Sequence, residues 1–574
     1  MKKLVYIITS TLVIFILSCT ESFLDYTPKG KINSDMLNTP ENIDKLVTAA
    51  YSALGNDDWP QPMSHMWQWG SVRSDDAYKG GGSVPDQGEI DIMEQFVLLT
   101  TSLNKPNLGW INLYEGIGRC NDALSRISNL TEAQYPNKAI RTAECRFLRG
   151  HFYFLLKVLF KYPVWVDETV PREEIKKMTN RELTNDQLWE KIAEDFKYAA
   201  DNLPIKQSQV GRASKTAAWA YLAKVRLYQA YEQDEQNNVT QINTARLQEV
   251  VKLCDSVINS GKHELSKDFA ENFLREYENG KESIFAIQFS VDDGTLHGRL
   301  NKATGLNYNM APQFGCCDFH NPSQNLVNAF KTDANGLPMF DTFNDVSMKD
   351  SIDFRTNGVD PRLDHTVGIV SHPFKYDPEW IMQKNWRRAP HVYGYYSPMK
   401  EIVHYKDPSF RKYGAFHASA LNFDVIRYAD VLLWKAEALI ELGRQAEALP
   451  LINEVRTRAA NSTSRLKYSD GLPVSNYRIS TYQDGVNCIW TQDFARKALQ
   501  FERRLEFATE SPRFFDLVRW GIAAETLNSY FAVEKTRYSF LIAAYFKKNR
   551  DEYLPIPQQQ IDLVEGIYTQ NYGW

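Results

Sequence analysis

Along much of the chain, apolar residues return every three or four positions, the spacing that stacks side chains on one face of a helix. Over residues 425–442, Ile426, Ala429, Leu433, Ala436 and Ile440 keep that spacing, and Gly443 supplies a stop. A second run follows at once, with Ala448, Ile452, Val455 and Ala459 on its face. Two amphipathic helices joined by so short a turn fold back as an antiparallel hairpin. Small residues on the facing sides let the backbones approach closely. The pattern recurs earlier, where residues 214–231 pair with 245–260, and residues 121–128, 140–160 and 186–202 supply further helices. Such helix pairs, degenerate in sequence but repeated in form, predict a mainly α fold on a tetratricopeptide-like scaffold.

Strand signals are short and scattered, as at residues 283–290 (SIFAIQFS). Between about residue 290 and residue 420 helical periodicity fails, while Gly, Pro, Asn and aromatics are dense. The expectation is a single body whose helical scaffold carries one long, irregular, aromatic-rich insertion. The 13 Trp and 30 Tyr are numerous, and several stand in Gly/Pro/Asp-rich stretches, which points to aromatics on a loop surface used for binding. A net charge of -5 with acids and bases intermixed lacks the basic face of a nucleic-acid binder.

The first residues form a processing signal. Lys2 and Lys3 precede a nearly unbroken apolar run over residues 4–17, too short to span a bilayer comfortably. The run ends at Ile16-Leu17-Ser18-Cys19, an aliphatic residue three places before, and a small one just before, a lone cysteine. That is a lipoprotein cleavage box, which makes residues 1–18 a signal peptide and Cys19 the acylated N-terminus. An ordinary secretory signal with an incidental cysteine is the alternative. No later segment is apolar enough for a membrane helix, so the mature chain, 19–574, is expected to be tethered through its lipid. Cys120, Cys145, Cys254 and Cys488 sit in helical or apolar contexts and read as buried free thiols.

Five blocks together carry a resemblance. The first is Phe23-Leu24-Asp25, and the second is residues 144–154 (ECRFLRGHFYF). Next come Arg427-Tyr428-Ala429-Asp430 running on to Ile452-Asn453-Glu454-Val455-Arg456, then residues 501–521 (FERRLEFATESPRFFDLVRWG). The last is residues 552–574, with Leu554-Pro555-Ile556-Pro557. In this order they resemble the SusD/RagB family over nearly the whole mature chain. Arg427, Asp430, Glu502, Arg503, Arg504 and Arg519 read as buried ion pairs that fix helix packing. The resemblance implies a SusD-like fold and a cell-surface protein of the outer membrane that binds glycans or, in some branches, peptides. It also implies a partner, a SusC-like TonB-dependent transporter on which the protein sits as a hinged lid.

Sugars stack their C–H faces on aromatic rings and offer hydroxyls to carboxylates, amides and guanidinium forks. Three stretches carry both kinds of group: residues 56–86, 304–320 and 386–413. Within them, residues 315–330, opening Gly315-Cys316-Cys317-Asp318-Phe319-His320, and residues 73–81 resemble the fructan-binding (levan) branch of the family. Carried over position by position, that branch's ligand contacts fall on Asp58, Asp86, Cys316 or its neighbour Cys317, Arg388 and Tyr413. Its aromatic platform would align near Asn104, which cannot stack, and an amide contact near Pro60 or Gln61. Trp59 or Trp67 is the candidate replacement platform. Trp67 and Trp69 alternate, so one of them packs inward. Asp75 and Asp76 beside Arg73 read as turn caps. Reduced, Cys316-Cys317 would be two small apolar residues. Oxidised in an exported protein, the pair would be a rigid, polarizable ring against which a sugar face could rest.

A glycoside hydrolase is the enzymatic alternative and needs two carboxylates flanking the scissile bond. Acid pairs such as Asp57-Asp58, Asp75-Asp76 and Asp292-Asp293 carry little weight among 71 Asp and Glu. There is no nucleophile elbow, phosphate loop, CxxC or HExxH, since His263-Glu264 lacks its second His. The expectation is a binding protein without a cofactor or an assigned metal ligand. A peptide binder of the same family would want an apolar groove with free backbone edges; the Trp/Asp/Arg loops favour a sugar. Replacing Cys19 with Ala should abolish fatty-acid labelling and release the protein from membranes. Continued labelling of a membrane-bound Ala variant would defeat the lipoprotein assignment.

Overall fold

Local capping chemistry sets where the helices begin. In a computed structural model that describes residues 37–55, 63–296 and 298–574, the Thr184 hydroxyl accepts the Gln187 N–H and the Gln187 side chain accepts the Thr184 N–H. This capping box opens α4, Asn185–Asn202. The Ser214 and Asn243 side chains cap α5, Lys215–Ala230, and α6, Thr244–Asn259, each by accepting one N–H, from Ala217 and Arg246. Ahead of these lie α1, Pro40–Ser52, α2, Asn104–Ser128, and α3, Lys138–Phe160. After the insertion come α7, Tyr428–Glu441, α8, Gln445–Asn461, and α9, Gln492–Phe507.

Helices α2 to α6 pack each on the next, α1 lies on α2, and α7 extends the row by packing on α6 and α8. The expected mainly α scaffold of helix pairs is therefore present. Ala448, Ile452, Val455 and Ala459 are all fully buried, as their spacing predicts, and Gly443 takes the left-handed backbone (φ 72°) that ends the first helix of that hairpin. Helix α2 begins well before the expected start at residue 121 and takes in Pro106, Gly109, Gly116 and Gly118. Pro106 sits in the first turn, where its missing N–H costs nothing. Gly116 is required by packing, since a Cβ there would come within 2.7 Å of the Phe152 ring of α3.

Residues 425–427 are strand, not helix. Strand β4, Phe423–Arg427, pairs antiparallel with β2, Ser283–Ile287, and α7 begins at Tyr428 with the Arg427 N–H held by the Asp430 carboxylate at 3.1 Å. The insertion is irregular, as expected, and every named sheet among the described residues has two strands. Many of its aromatics are buried, contrary to expectation. Tyr308, Phe314, Phe374, Trp380 and Trp386 form an aromatic core of their own, and Leu326, Phe330, Phe354 and Val359 belong to another. Among the described residues no helix is long and apolar enough to cross a membrane. Cys120, Cys145 and Cys254 are buried free thiols, whereas Cys488 is only half-buried.

The recurring charged residues build one buried ionic network. Arg427 reaches Glu282 at 2.6 Å and Glu506 and Glu510 at 2.9 Å each. Arg458 bonds Glu282 (2.7 Å) and Glu506. Arg362 joins Asp360 (2.7 Å), Glu502 (2.7 Å) and Glu506 (3.0 Å), and Arg456 joins Glu502 (2.8 Å). Asp75 and Asp76 are not turn caps: Arg513 grips Asp75 at 2.8 Å and Arg504 binds Asp76 at 3.0 Å, deep in the protein. The Arg427–Asp430 pair expected from sequence is also rearranged. Asp430 caps the helix, while the Arg427 guanidinium goes to the three glutamates.

Burial alone would raise the Glu506 carboxyl, but Arg458, Arg427 and Arg362 outweigh it and hold the group far below the usual carboxylate range. Asp75, likewise raised by burial and lowered more by Arg504 and Arg513, sits at about 2. Both folded-state values lie below those of the unfolded chain. Their stabilisation is therefore fully present above about pH 4 and is lost as pH falls toward about 2. Thermal melts should show Tm falling steeply across that window. A flat Tm between those two pH values would show that these carboxylates do not support the fold.

Candidate functional site

Three segments far apart in sequence meet around Asp318. Strand β1, Ala77–Gly80, pairs antiparallel with β3, Phe319–Pro322, so that Gly80 faces Phe319. Just beyond the pair, the Gly81 N–H donates to the Asp318 carbonyl at 2.8 Å. Gly81 has a left-handed backbone (φ 83°), and a Cβ there would lie 2.5 Å from the Phe319 ring and 3.0 Å from Asp86 Oδ2. Only glycine lets the turn close here.

Asp86 Oδ2 accepts the Gly82 N–H at 2.9 Å and pairs with Arg388 Nη1 at 3.0 Å. Their side chains remain 28% and 41% exposed, so the pair stands at the surface. Beneath the turn, the buried Lys79 ammonium donates to the carbonyls of Ser83 (2.9 Å), Val84 (3.1 Å) and Asp86 (2.5 Å). On the other side, Asp318 Oδ2 accepts the Arg388 N–H at 2.6 Å and Arg387 Nε at 3.2 Å. Burial pushes the Asp318 carboxyl up to about 6 against the pull of Arg387 and Arg388.

Cys316 and Cys317 immediately precede Asp318 and are joined by a disulfide across a cis peptide bond. Cys317 is buried, while Cys316 is partly open to solvent. The structure thus brings Asp86 and Arg388 to the surface beside Asp318, with Cys316 and Cys317 next to Asp318 in the chain and Cys317 buried. Tyr413 lies on the hairpin of Arg411–Tyr413 and Phe416–Ala418, with the Lys302 ammonium 4.4 Å from its ring centroid and 3.4 Å from its hydroxyl. Asp58, Trp59 and Cys19, the residue expected to carry the lipid, lie outside the described residues.

Trp67 is a correction. Its side chain is wholly buried (0% exposed), its Nε1 donates to the Ala303 carbonyl at 2.9 Å, and its ring packs 5.3 Å from that of His320. It cannot offer a face to a sugar. Trp69 is equally buried, so both members of the alternating pair point inward. Met66 takes a left-handed backbone (φ 59°) and the short helix Trp67–Gly70 follows it, so strand-like alternation does not apply. Asn104, aligned with the missing platform, is held at the start of α2 by Glu89, which accepts its N–H at 3.0 Å. Sequence reasoning missed Lys79 and Asp318, which position the site. Tyr395, half-exposed, follows Arg388 and the short helix Pro390–Tyr393 along the chain. The Gly80-Gly81-Gly82 run was the available signal for a close backbone approach.

Residues 281–574 match the profile described as the SusD family. The chain belongs to that family. Residues 22–227 match a second SusD-like profile, described as starch-binding and associating with the outer membrane. SusD-like protein P25 of Formosa agariphila is 24% identical over 99% of both chains. A SusD homolog from Bacteroides thetaiotaomicron has the same fold, with a TM-score of 0.69 at 24% identity over 94% of this chain and 98% of that one. The surface glycan-binding protein A of the same organism, solved with laminarihexaose, aligns with a TM-score of 0.65 at 22% identity over 93% and 99%.

In this SusD-family chain the disulfide immediately precedes Asp318, which holds the Arg388 N–H, and that makes it a candidate contact surface and not only a local brace. Alkylation of the unreduced protein followed by mass spectrometry should leave Cys316 and Cys317 unlabelled, and a Cys316→Ser/Cys317→Ser variant should stay folded yet bind glycan more weakly. Full labelling of both thiols would remove the ring, and unchanged binding by the variant would make the pair structural.

Proposed function

We propose that this protein is a surface-exposed lipoprotein that captures oligosaccharides and delivers them to a SusC-like TonB-dependent transporter. The observation that carries the reading is the Asp86–Arg388 pair, half-exposed and fixed from below by Lys79 and Asp318, the residue that follows a partly exposed disulfide. A carboxylate and a guanidinium fork at one surface supply an acceptor and several donors in fixed directions, which suits the vicinal hydroxyls of a sugar. Asp86 is already occupied by Arg388 and the Gly82 amide, an arrangement for holding hydroxyls and not for delivering a proton. The solved relative with laminarihexaose bound supports a glycan ligand. The resemblance of residues 315–330 and 73–81 to the levan-type branch favours fructan, with Trp59 or the half-exposed Tyr395 as the stacking face and Tyr413 and Asp58 as further contacts. Residues 1–18 would be the signal, Cys19 the anchor, and 19–574 the mature chain.

A charged hydrogen bond to a sugar hydroxyl contributes about 1.5–3 kcal/mol. Single Asp86→Ala and Arg388→Ala variants should therefore bind fructo-oligosaccharide about ten-fold or more weakly, with melting temperature nearly unchanged. A panel of levan, inulin and laminarin oligosaccharides decides the linkage, and the same incubations checked for released sugar test for hydrolysis. Wild-type affinity in both variants would remove this site, and turnover by the pure protein would replace the binding-protein reading with an enzyme.

A further inference from the structure

A second surface carries its own chemistry, and the Asp86–Arg388 site does not use it. An open groove of about 840 Å³ lies between residues 355–361 and 460–479. Its walls are stitched rigidly together. The Asn476 N–H donates to the Phe354 carbonyl (2.9 Å), the Val359 N–H to the Asn476 carbonyl (3.0 Å), and the Arg478 N–H to the Val359 carbonyl (2.9 Å). A hairpin closes one end, where the Tyr468 N–H meets the Leu472 carbonyl at 3.0 Å and the Val474 N–H meets the Leu466 carbonyl at 3.1 Å. These bonds set Arg355, Arg478 and Lys467 around one depression.

The lining holds those three cations and no carboxylate. All three are exposed, and among the described residues none has an ion-pair partner; Arg355 bonds only Ser351 of its own helix. Arg362, Arg427, Arg503 and Arg519, by contrast, are tied into pairs and networks. The nearby acids are engaged elsewhere. Asp470 accepts the Leu472 N–H at 2.9 Å, and Asp364 is held by His372 at 2.7 Å while it fixes the hydroxyls of Ser475 (2.7 Å) and Tyr477 (2.9 Å). Between the cations lie amide and hydroxyl groups from Asn476 and Thr463, with Leu472, 62% exposed, and Pro473 as apolar surface.

Unpaired guanidinium and ammonium groups spread along a groove, with neutral donors and apolar faces between them, complement a chain of hydroxylated rings that bears repeated anions. We infer that this groove is a second glycan site, selective for acidic oligosaccharides, in which Arg355, Lys467 and Arg478 bind uronate carboxylates. The inference rests on the glycan-binding reading but uses none of the residues of the first site. A single protein would then hold a neutral and an acidic region of the same polysaccharide at once.

The test is calorimetric titration of the mature protein with tetragalacturonate, with its methyl ester, and with fructo-oligosaccharide. The acid should bind, and the ester should bind about ten-fold or more weakly. Added salt should weaken the acid, because the cations are exposed. The combined Arg355→Ser, Lys467→Ser and Arg478→Ser variant should lose about ten-fold or more for tetragalacturonate while keeping its fold and its fructo-oligosaccharide binding. Arg388→Ala should show the reverse pattern, so failure of either site is seen separately. No binding of the acid, equal binding of acid and ester, or unchanged binding by the combined variant overturns the proposal. So does binding of phosphatidylglycerol vesicles or inorganic phosphate in place of the acidic oligosaccharide.

Discussion

The fold depends on a set of buried charges that can exist only together. Arg427, Arg458 and Arg362 converge on Glu506, and Glu282, Glu502 and Glu510 tie that centre to β2, α9 and the residues just after α9. Each charge alone would cost several kcal/mol to bury, and removing one partner leaves the others uncompensated. Chain segments from residue 282 to residue 510 are therefore locked in one relative placement, and hydrophobic packing of the helix pairs proceeds around a fixed centre. The specificity of such a network is directional. A Leu core tolerates sliding, but forked Arg–carboxylate bonds do not.

That centre explains which parts of the fold were legible in the sequence. The helix pairs were, because their stripes of Ala448, Ile452, Val455 and Ala459 or of residues 214–230 repeat at helical spacing. Arg427 was legible as a buried ionic residue but not its partners, because Glu282, Glu506 and Glu510 are distant in sequence and nothing local marks them. The start of α7 was misplaced for a related reason. Val425 and Ile426 continue the helical stripe on paper, yet pairing with β2 draws them into a strand. The first half of α2 was hidden by glycines that serve as landing places for aromatic rings.

The binding surface was legible to a different degree. Asp86, Arg388 and the cysteine pair converge although about 300 residues separate the two charged partners, an arrangement that the resemblance suggested and periodicity could not. Trp67 fails as a platform because aromatic density along a chain does not distinguish exposed rings from buried ones. In this chain much of it fills the separate core of the insertion, around Trp380 and Trp386, and the buried segment 63–78. Lys79 and Asp318 were invisible because their work is done through backbone atoms, which no side-chain pattern reveals.

Lys79 has a further effect on the turn above it. A peptide carbonyl and the amide that follows it point in opposite directions across a planar bond. When the carbonyls of Ser83 and Asp86 turn inward to the ammonium, the amides of Val84 and Gln87 must turn away from it. Those two N–H groups therefore lie on the side of their peptide planes opposite the ammonium. A lysine that never touches the surface thus sets which way the peptide dipoles of the turn above it point.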